Sequence, residues 1–151
     1  MSDVDVIVVG SGNAALCAGL AARERGATVL VIEKAPEEMA GGNSKYTAGA
    51  MRFAYDGKPD LLPLLQNPQD PRLPDTEFGA YTSEQFSKDL LGFNDGRPLS
   101  QEQRDLVAQS YPTMAWLASH DVRFEPDLRT PDLPEGRQTH FLGRTDPGRP
   151  A

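Results

Sequence analysis

A glycine turn near the amino terminus has the residue types and spacing that bind the phosphates of a nucleotide. Its six residues follow the pattern G-x-G-x-x-(G/A): Gly10, Ser11, Gly12, Asn13, Ala14 and Ala15. The first glycine allows a tight turn, the second lets the backbone approach a pyrophosphate, and the final alanine keeps the next helix close to the strand. The unpaired amides of a helix N-terminus would then face the anion. The pattern therefore predicts a dinucleotide site.

An acidic residue follows the turn at the distance that this kind of site needs, about 20 residues on. Glu33 can accept hydrogen bonds from a ribose hydroxyl pair and would repel a 2′-phosphate, which favours FAD or NAD over NADP. Its neighbour Lys34 is grouped with it among the predicted cofactor-binding residues. Spacing alone does not separate FAD from NAD, and a glycine-rich turn of an unrelated α/β protein is the simpler alternative.

Three segments around the turn predict the elements that position it. Residues 4–9 are rich in β-branched side chains and predict a strand buried on both faces of a parallel sheet. Residues 13–25 predict a helix that ends before Gly26, and residues 27–33 predict a second strand. The fold class expected is α/β, a Rossmann-like βαβ domain with a parallel sheet, incomplete and followed by a helical and irregular C-terminal part.

Composition excludes several other classes of function. The chain has 151 residues and a formal net charge of −7, which disfavours nucleic acid as a partner. Cys17 is the single cysteine and the chain has only two histidines, so a structural metal site is not expected. No export signal and no run of about 20 apolar residues is visible, so we expect a cytoplasmic protein without a transmembrane segment.

A second glycine-rich segment, within residues 41–57, predicts a loop whose backbone approaches a ligand closely. Residues 1–57 are accordingly expected to form the nucleotide-binding βαβ unit with this loop. Residues 58–99 are expected to form a proline-rich excursion, irregular and on the surface over residues 58–76, with a short helix. Residues 100–151 are expected to form a helical segment and an irregular tail.

Two helices are expected beyond residue 80, each beginning at a capping box. The first box pairs Thr82 with Gln85, and the second pairs Ser100 with Gln103. Pro112 should kink or split the second helix, since it lacks an amide proton. Residues 122–124 alternate like a strand.

Taken together, residues 4–57 resemble the flavoprotein subunits of fumarate reductase and succinate dehydrogenase and their soluble relatives. The resemblance rests on VIVVGSGNAALCAGLAARERGATVLVIEKAP and on the stretch EKAPEEMAGGNSKYTAGAM, and among those relatives the chain is most similar to FAD-dependent tricarballylate dehydrogenases. A weaker resemblance covers residues 100–125, through MAWLASHDVRFEP.

The resemblance implies FAD as the cofactor. It places one segment along the flavin and its ribityl-phosphate chain and a second under the isoalloxazine ring; these residues are Gly41, Gly42, Asn43 and Ser44, then Thr47, Ala48 and Gly49. Asn43 stands where the membrane-bound members carry a histidine that attaches FAD covalently. The resemblance therefore implies FAD held without a covalent bond.

The activity implied is that of a dehydrogenase or reductase acting on a CH–CH bond of a small di- or tricarboxylate, with an unknown electron acceptor. The family's catalytic residues come from regions that this sequence does not match, so we assign none here and expect an inactive fragment. A frameshift or premature stop would explain the divergent residues 144–151, and a deliberate short variant stays open. The alternatives are an NAD-dependent dehydrogenase fragment and a non-catalytic nucleotide-binding module.

Four other side chains are interpreted as structural or surface residues. Cys17 is expected in the core, His120 at a helix C-terminus and Trp116 in core packing. Arg52 could face a carboxylated substrate, although a solvated surface arginine is the commoner case.

Overall fold

A computed structural model describes residues 3–47, 49–126 and 141–144, the last of these through their backbone alone. The chain divides into two compact units, Met1–Gly49 and Ala50–Ala151, which we call the N-terminal and C-terminal units. Helices from both of the segments 58–99 and 100–151 lie in the C-terminal unit.

The N-terminal unit is built on a βαβ motif. Strand β1 (Val6–Val9) is followed by helix α1 (Asn13–Glu24) and strand β2 (Val29–Ile32). The two strands are parallel, with Val6 opposite Val29 and Val9 opposite Ile32. This confirms the predicted α/β class and the expected order of elements, and it places the glycine turn and the acidic residue at the carboxyl ends of adjacent strands.

The start of both strands is fixed by a reciprocal contact between Asp5 and Thr28. The Asp5 amide donates to the Thr28 hydroxyl oxygen at 3.0 Å, and the Thr28 amide and hydroxyl donate to the Asp5 carboxylate at 2.8 and 2.7 Å. These hydrogen bonds from Thr28 hold the pKa of Asp5 below its ordinary value. The register of the two strands is therefore supported by side chains as well as by the backbone hydrogen bonds between the strands.

Helix α1 lies close to β2 because it presents a glycine to the sheet. Gly19 is buried, and a Cβ at this position would lie 3.7 Å from a methyl of Val31 and 3.8 Å from one of Val29. The helix ends as predicted at Gly26, whose φ of +84° suits glycine and whose amide donates to the Arg23 carbonyl at 2.9 Å.

The expectation that β1 is buried on both faces is wrong. Val8 is buried, but Ile7 is 60% exposed and Val9 is 78% exposed. Because paired residues of neighbouring strands share a face, Leu30 and Ile32 of β2 lie on the same side as Ile7 and Val9, and they are also exposed. Helix α1 packs on the other face, with Gly19 next to Val29 and Val31, although Val31 is still 41% exposed.

The C-terminal unit combines helices with a small antiparallel sheet. The helices are α2 (Lys58–Leu61), α3 (Ser83–Leu91) and α4 (Gln101–Ser119), and Leu62–Leu64 forms one 3₁₀ turn directly after α2. The strands β3 (Ala50–Met51), β4 (Arg123–Pro126) and β5 (Phe141–Arg144) pair in the order β3-β5-β4. Strand β4 begins one residue later and ends two residues later than the strand predicted over residues 122–124.

The proline-rich segment is part of the core, so the expectation that it lies on the surface is wrong, although residues 65–76 contain no helix or strand, as expected. Leu61, Leu64, Leu65 and Leu73 are all buried in the main apolar cluster of this unit. Proline fixes the turns of the backbone, and the leucines between the prolines point inward. The cluster also takes in side chains of α3, α4 and β4, including Phe86, Met114 and Phe124.

The helix starts follow the predicted caps, with one difference. Ser100 and Gln103 form a complete capping box, in which each side chain accepts from the backbone amide of the other residue. Thr82 accepts from the Gln85 amide, but the Gln85 side chain donates to Asp89 instead of completing the box. Pro112 lies inside α4 and does not split it, which leaves a kink as the remaining form of the expectation. None of the helices in the described part of the chain is both long and apolar enough to cross a membrane.

Candidate nucleotide site

The site in the N-terminal unit begins at the glycine turn after β1. Gly10 has a φ of +104°, a left-handed conformation that side chains with a Cβ rarely adopt, and its amide donates to the Ile32 carbonyl at 2.7 Å. Gly12 is extended and precedes the first residue of α1. The turn therefore changes direction sharply at Gly10 and delivers the chain to the helix start, as predicted.

The first turn of α1 has the character of an anion site. It contains Asn13, Ala14 and Ala15, with no acidic side chain to oppose a negative ligand. The first helical hydrogen bond runs from the Leu16 amide to the Gly12 carbonyl at 3.0 Å. The amides before Leu16 have no partner inside the helix, and the helix dipole adds positive character at this end.

Glu33 follows β2 directly and lies beside the glycine turn. One carboxylate oxygen, Oε2, accepts from the Ser11 amide at 2.9 Å and from the Ser11 hydroxyl at 2.6 Å. The other, Oε1, accepts from the Ala35 amide at 3.0 Å. The Ala35 amide, then the Ser11 hydroxyl and the Lys34 and Ser11 amides, hold the pKa of Glu33 below its ordinary value. Glu33 is thus an exposed anion in a fixed orientation.

The second glycine loop follows in the same unit. Gly41 and Gly42 have φ values of +104° and +54°, and a 3₁₀ turn spans Gly42–Tyr46. Asn43 lies within it, exposed to solvent. The Thr47 hydroxyl donates to the Ser44 carbonyl at 3.1 Å and accepts from the Gly49 amide at 3.3 Å, so it stabilises the end of the loop. Ala48 lies outside the described residues.

Two serine hydroxyls join this loop to the first glycine turn. Ser11 Oγ accepts from the Gly41 amide at 2.9 Å, and Ser44 Oγ accepts from the Asn13 amide at 3.0 Å. A Cβ at Gly12 would lie 3.4 Å from both the Gly41 carbonyl oxygen and Ser44 Oγ. Gly12 therefore leaves room for the second loop, a role that sequence reasoning missed because it considered only the approach of a ligand.

The structure brings most of the predicted site residues together and gives Lys34 a limited part. The Ser11–Glu33, Ser11–Gly41 and Asn13–Ser44 hydrogen bonds link the glycine turn, the acidic residue and the second loop. The backbone amide of Lys34 helps to lower the pKa of the Glu33 carboxylate, and Lys34 itself is exposed to solvent. A helix N-terminus, an oriented carboxylate and close-packed glycines suit a dinucleotide with a ribose diol and a pyrophosphate.

The other candidate residues are engaged elsewhere. Arg52 of the C-terminal unit lies 3.4 Å from the Asp89 carboxylate and stacks 5.7 Å from the centre of the Tyr81 ring. An arginine paired in this way is partly neutralised, which weakens the case for a substrate carboxylate at Arg52.

Cys17 and His120 take structural positions. Cys17 is only partly buried, which corrects the expectation of a core residue, and this burial raises the pKa of its thiol. His120 caps the C-terminus of α4 as predicted, with its ring 4.6 Å from that of Trp116. Trp116 is also only partly buried, whereas Val107 and Met114 of the same helix are in the core.

The fold and the site define a dinucleotide-binding βαβ domain, and comparison with known proteins identifies the dinucleotide. Residues 5–72 match the model of the FAD binding domain family. FAD is therefore the cofactor indicated for this part of the chain, in agreement with the prediction and against the NAD alternative. The matched residues include the glycine turn, Glu33 and the whole second loop.

Several characterised flavin-type oxidoreductases are similar to the chain. A fumarate reductase (cytochrome) of Shewanella frigidimarina is 41% identical over 66 residues, which cover 44% of this chain and 11% of that enzyme. The digoxin reductase of Eggerthella lenta is 29% identical over 82% of this chain and 20% of its own length. A 3-oxosteroid 1-dehydrogenase of Rhodococcus opacus is 30% identical over 98% of this chain and 25% of its own length.

The chain thus spans between a tenth and a quarter of the length of these relatives. The names of these relatives describe reductions or dehydrogenations of different compounds. The similarity therefore supports a flavin-dependent oxidoreductase sequence, and it does not extend to one particular substrate.

Proposed function

We propose that the N-terminal unit is the FAD-binding site of a flavin-dependent oxidoreductase that acts on a CH–CH bond of a small di- or tricarboxylate. The observation that carries the FAD site is the convergence of three features within residues 10–44. These are the glycine turn at the start of α1, the oriented Glu33 carboxylate and the second loop joined to the turn by Ser11 and Ser44.

Each feature has a part of the cofactor to hold. The first turn of α1 would bind the pyrophosphate through backbone amides, and Glu33 would accept hydrogen bonds from the adenosine ribose. Gly41, Gly42, Asn43 and Ser44 would lie along the ribityl chain, with Thr47, Ala48 and Gly49 nearer the isoalloxazine ring. Lys34 would support cofactor binding indirectly, because its backbone amide interacts with the Glu33 carboxylate.

FAD, when bound, would supply the redox chemistry, because its isoalloxazine ring exchanges a hydride equivalent with a substrate carbon. The residues of this chain would bind and orient it. Asn43 has an amide side chain that forms no bond to the flavin, so we propose a non-covalent complex. Glu33 would be ionised at neutral pH like an ordinary glutamate, and its hydrogen bonds lower its pKa further.

The carboxylate substrate is proposed from the resemblance to fumarate reductases, one of which is 41% identical to this chain over 66 residues. We propose more specifically a tricarballylate dehydrogenase, because the G-N-A-A-L-C turn and the A-G-G-N-S loop resemble those of that enzyme. Because Arg52 is paired with Asp89, we do not assign it to the substrate. The groups that would grip a carboxylate are thus not among the residues proposed here.

A chimera tests the FAD site of this function. The segment of the Shewanella frigidimarina fumarate reductase that corresponds to residues 5–72 would be replaced by those residues of this chain. We expect the chimera to bind FAD and to reduce fumarate, and the same chimera carrying Glu33→Ala to bind FAD more weakly. A folded chimera without flavin would contradict the proposed site.

A second experiment uses the chain alone. Loaded with FAD and mixed with succinate or tricarballylate, it should bind the flavin without reducing it, because hydride transfer requires a substrate held about 3–3.5 Å from the flavin. Substrate-dependent bleaching of the flavin absorbance would show that the chain itself holds the catalytic groups. A nucleotide-binding module that does not position the flavin for catalysis, by contrast, would bind FAD in isolation and leave the chimera without fumarate reduction.

A further inference from the structure

The hydroxyl of Ser11 occupies the centre of the site and makes two hydrogen bonds to different elements. It donates to Glu33 Oε2 at 2.6 Å and accepts from the Gly41 amide at 2.9 Å. The Ser11 amide donates to the same carboxylate oxygen at 2.9 Å. One side chain in the first glycine turn therefore contacts both the acidic residue after β2 and the first glycine of the second loop.

The two bonds require a hydroxyl, because one group must donate and accept at once. A carboxylate only accepts and a backbone amide only donates, so a group that bridges Glu33 and Gly41 must do both, as the Ser11 hydroxyl does. Alanine would leave the Gly41 amide without this acceptor and the carboxylate without this donor. Threonine would keep both interactions.

We propose that Ser11 is a positioning residue that couples the two halves of the FAD site. It orients the Glu33 carboxylate toward the adenosine ribose and holds Gly41 in place for the flavin side of the cofactor. Ser11 acts through these two residues. This inference rests on the proposed function, because one of its tests measures FAD binding. Its other test, the pKa of Glu33, is measured on the cofactor-free protein.

The occupancy of the carboxylate supports this role. A carboxylate offers about four acceptor sites on its two oxygens. Ser11 fills those of Oε2 with its amide and hydroxyl, whereas the contact at 3.0 Å on Oε1 comes from the Ala35 amide. By these hydrogen bonds Oε1 has fewer donors than Oε2 and is the oxygen better placed to accept from a ribose hydroxyl, although the Lys34 amide also contributes to the carboxylate. Ser11 meanwhile restricts rotation of the side chain. The chain pre-organises the acceptor before the cofactor arrives.

Ser11 also holds Gly41, whose amide donates to the Ser11 hydroxyl. Gly41 has a φ of +104° and opens the 3₁₀ turn Gly42–Tyr46. The second tie between the loops, from the Asn13 amide to Ser44 Oγ at 3.0 Å, lies three residues further along the loop and does not involve Glu33. Ser44 therefore provides a matched comparison: it joins the same two loops without touching the carboxylate.

The test measures the Glu33 pKa by carbon NMR in the cofactor-free chain, and the affinities for ADP and FAD by equilibrium titration. Ser11→Ala should raise the pKa of Glu33 part of the way toward its ordinary value, since the Ala35 amide remains. It should weaken FAD binding roughly tenfold, a typical effect of losing a hydrogen bond to a charged group. ADP binding should fall by a smaller factor, because ADP does not use the second loop.

Two further variants separate positioning from folding. Ser11→Thr should restore both the Glu33 pKa and the FAD affinity, and Ser44→Ala should weaken FAD binding while leaving the Glu33 pKa unchanged. The inference is overturned if Ser11→Ala leaves the Glu33 pKa where it is, or if ADP and FAD lose the same factor. A parent chain that binds no FAD would instead contradict the proposed function, because the pKa readout needs no cofactor.

Discussion

The hydroxyl of Ser44 accepts a hydrogen bond from the backbone amide of Asn13 at 3.0 Å, across 31 positions of sequence. Asn13 is the first residue of α1, so its amide belongs to the helix end that would face a pyrophosphate. The second loop is thereby docked on the anion site itself. The Ser44 hydroxyl also lies 3.4 Å from the position that a Cβ on Gly12 would take.

Gly12→Val should abolish FAD binding by separating these loops. The added Cβ alone approaches the Gly41 carbonyl oxygen and Ser44 Oγ closely, and the two methyl groups of valine need further space. Gly12→Ala should cause a smaller loss, since its neighbours need to move by only a few tenths of an ångström. Titration with FAD measures both affinities. Far-UV circular dichroism must show that each variant is folded, and near-normal affinity in folded Gly12→Val would refute this packing.

Glu33→Ala should weaken FAD binding about tenfold or more, because the ribose loses a charged acceptor. Glu24→Ala is the matched control, since Glu24 carries the same charge on the exposed end of α1. Its affinity for FAD should stay close to that of the parent chain. Equal losses in the two variants would mean that net charge, and not the position of Glu33, determines binding.

The affinity for FAD should be flat near neutral pH and decrease only in acid. Hydrogen bonds from Ala35 and Ser11 lower the pKa of Glu33 in the folded protein, so the carboxylate that would accept from the ribose stays ionised until the pH falls below the ordinary range of glutamate. The fall should therefore begin below the ordinary titration range of glutamate. FAD titrations at several pH values across this range measure the decrease in affinity. Glu33→Ala is the control, because it removes the contribution of Glu33 to that decrease.

Leu61→Ala should destabilise the C-terminal unit by about 2–5 kcal/mol, the usual cost of truncating a buried leucine. Leu61 is fully buried in the proline-rich segment, whereas Leu91 at the end of α3 is 44% exposed. Leu91→Ala is therefore expected to have a much smaller effect. Urea denaturation monitored through Trp116 measures both. Similar stabilities for the two variants would restore the earlier interpretation of this segment as a surface excursion.

Local patterns predicted much of this molecule. The βαβ order, the Gly26 helix end, the Ser100 capping box and the placement of Glu33 beside the glycine turn each depend on residues close in sequence or on a spacing with a known physical reason. The structure agrees with all four.

Contacts between distant residues were not predictable in the same way. The prolines between residues 59 and 74 indicated an exposed loop, and burial of the leucines among them depends on α3, α4 and β4. The exposure of Ile7 and Val9 depends on what covers a sheet face, which a strand pattern does not contain. The Ser11–Gly41 contact spans 30 positions and follows no periodicity.

The central claim is that this chain binds FAD non-covalently, and identification of the bound nucleotide tests it most directly. The chain would be purified, mixed with equal FAD and NAD, freed of excess ligand and denatured, and the supernatant analysed by chromatography with absorbance detection. We predict that FAD is released in about equimolar amount and that the protein pellet is colourless. Release of NAD in place of FAD, absence of any nucleotide, or flavin retained by the pellet would contradict the claim.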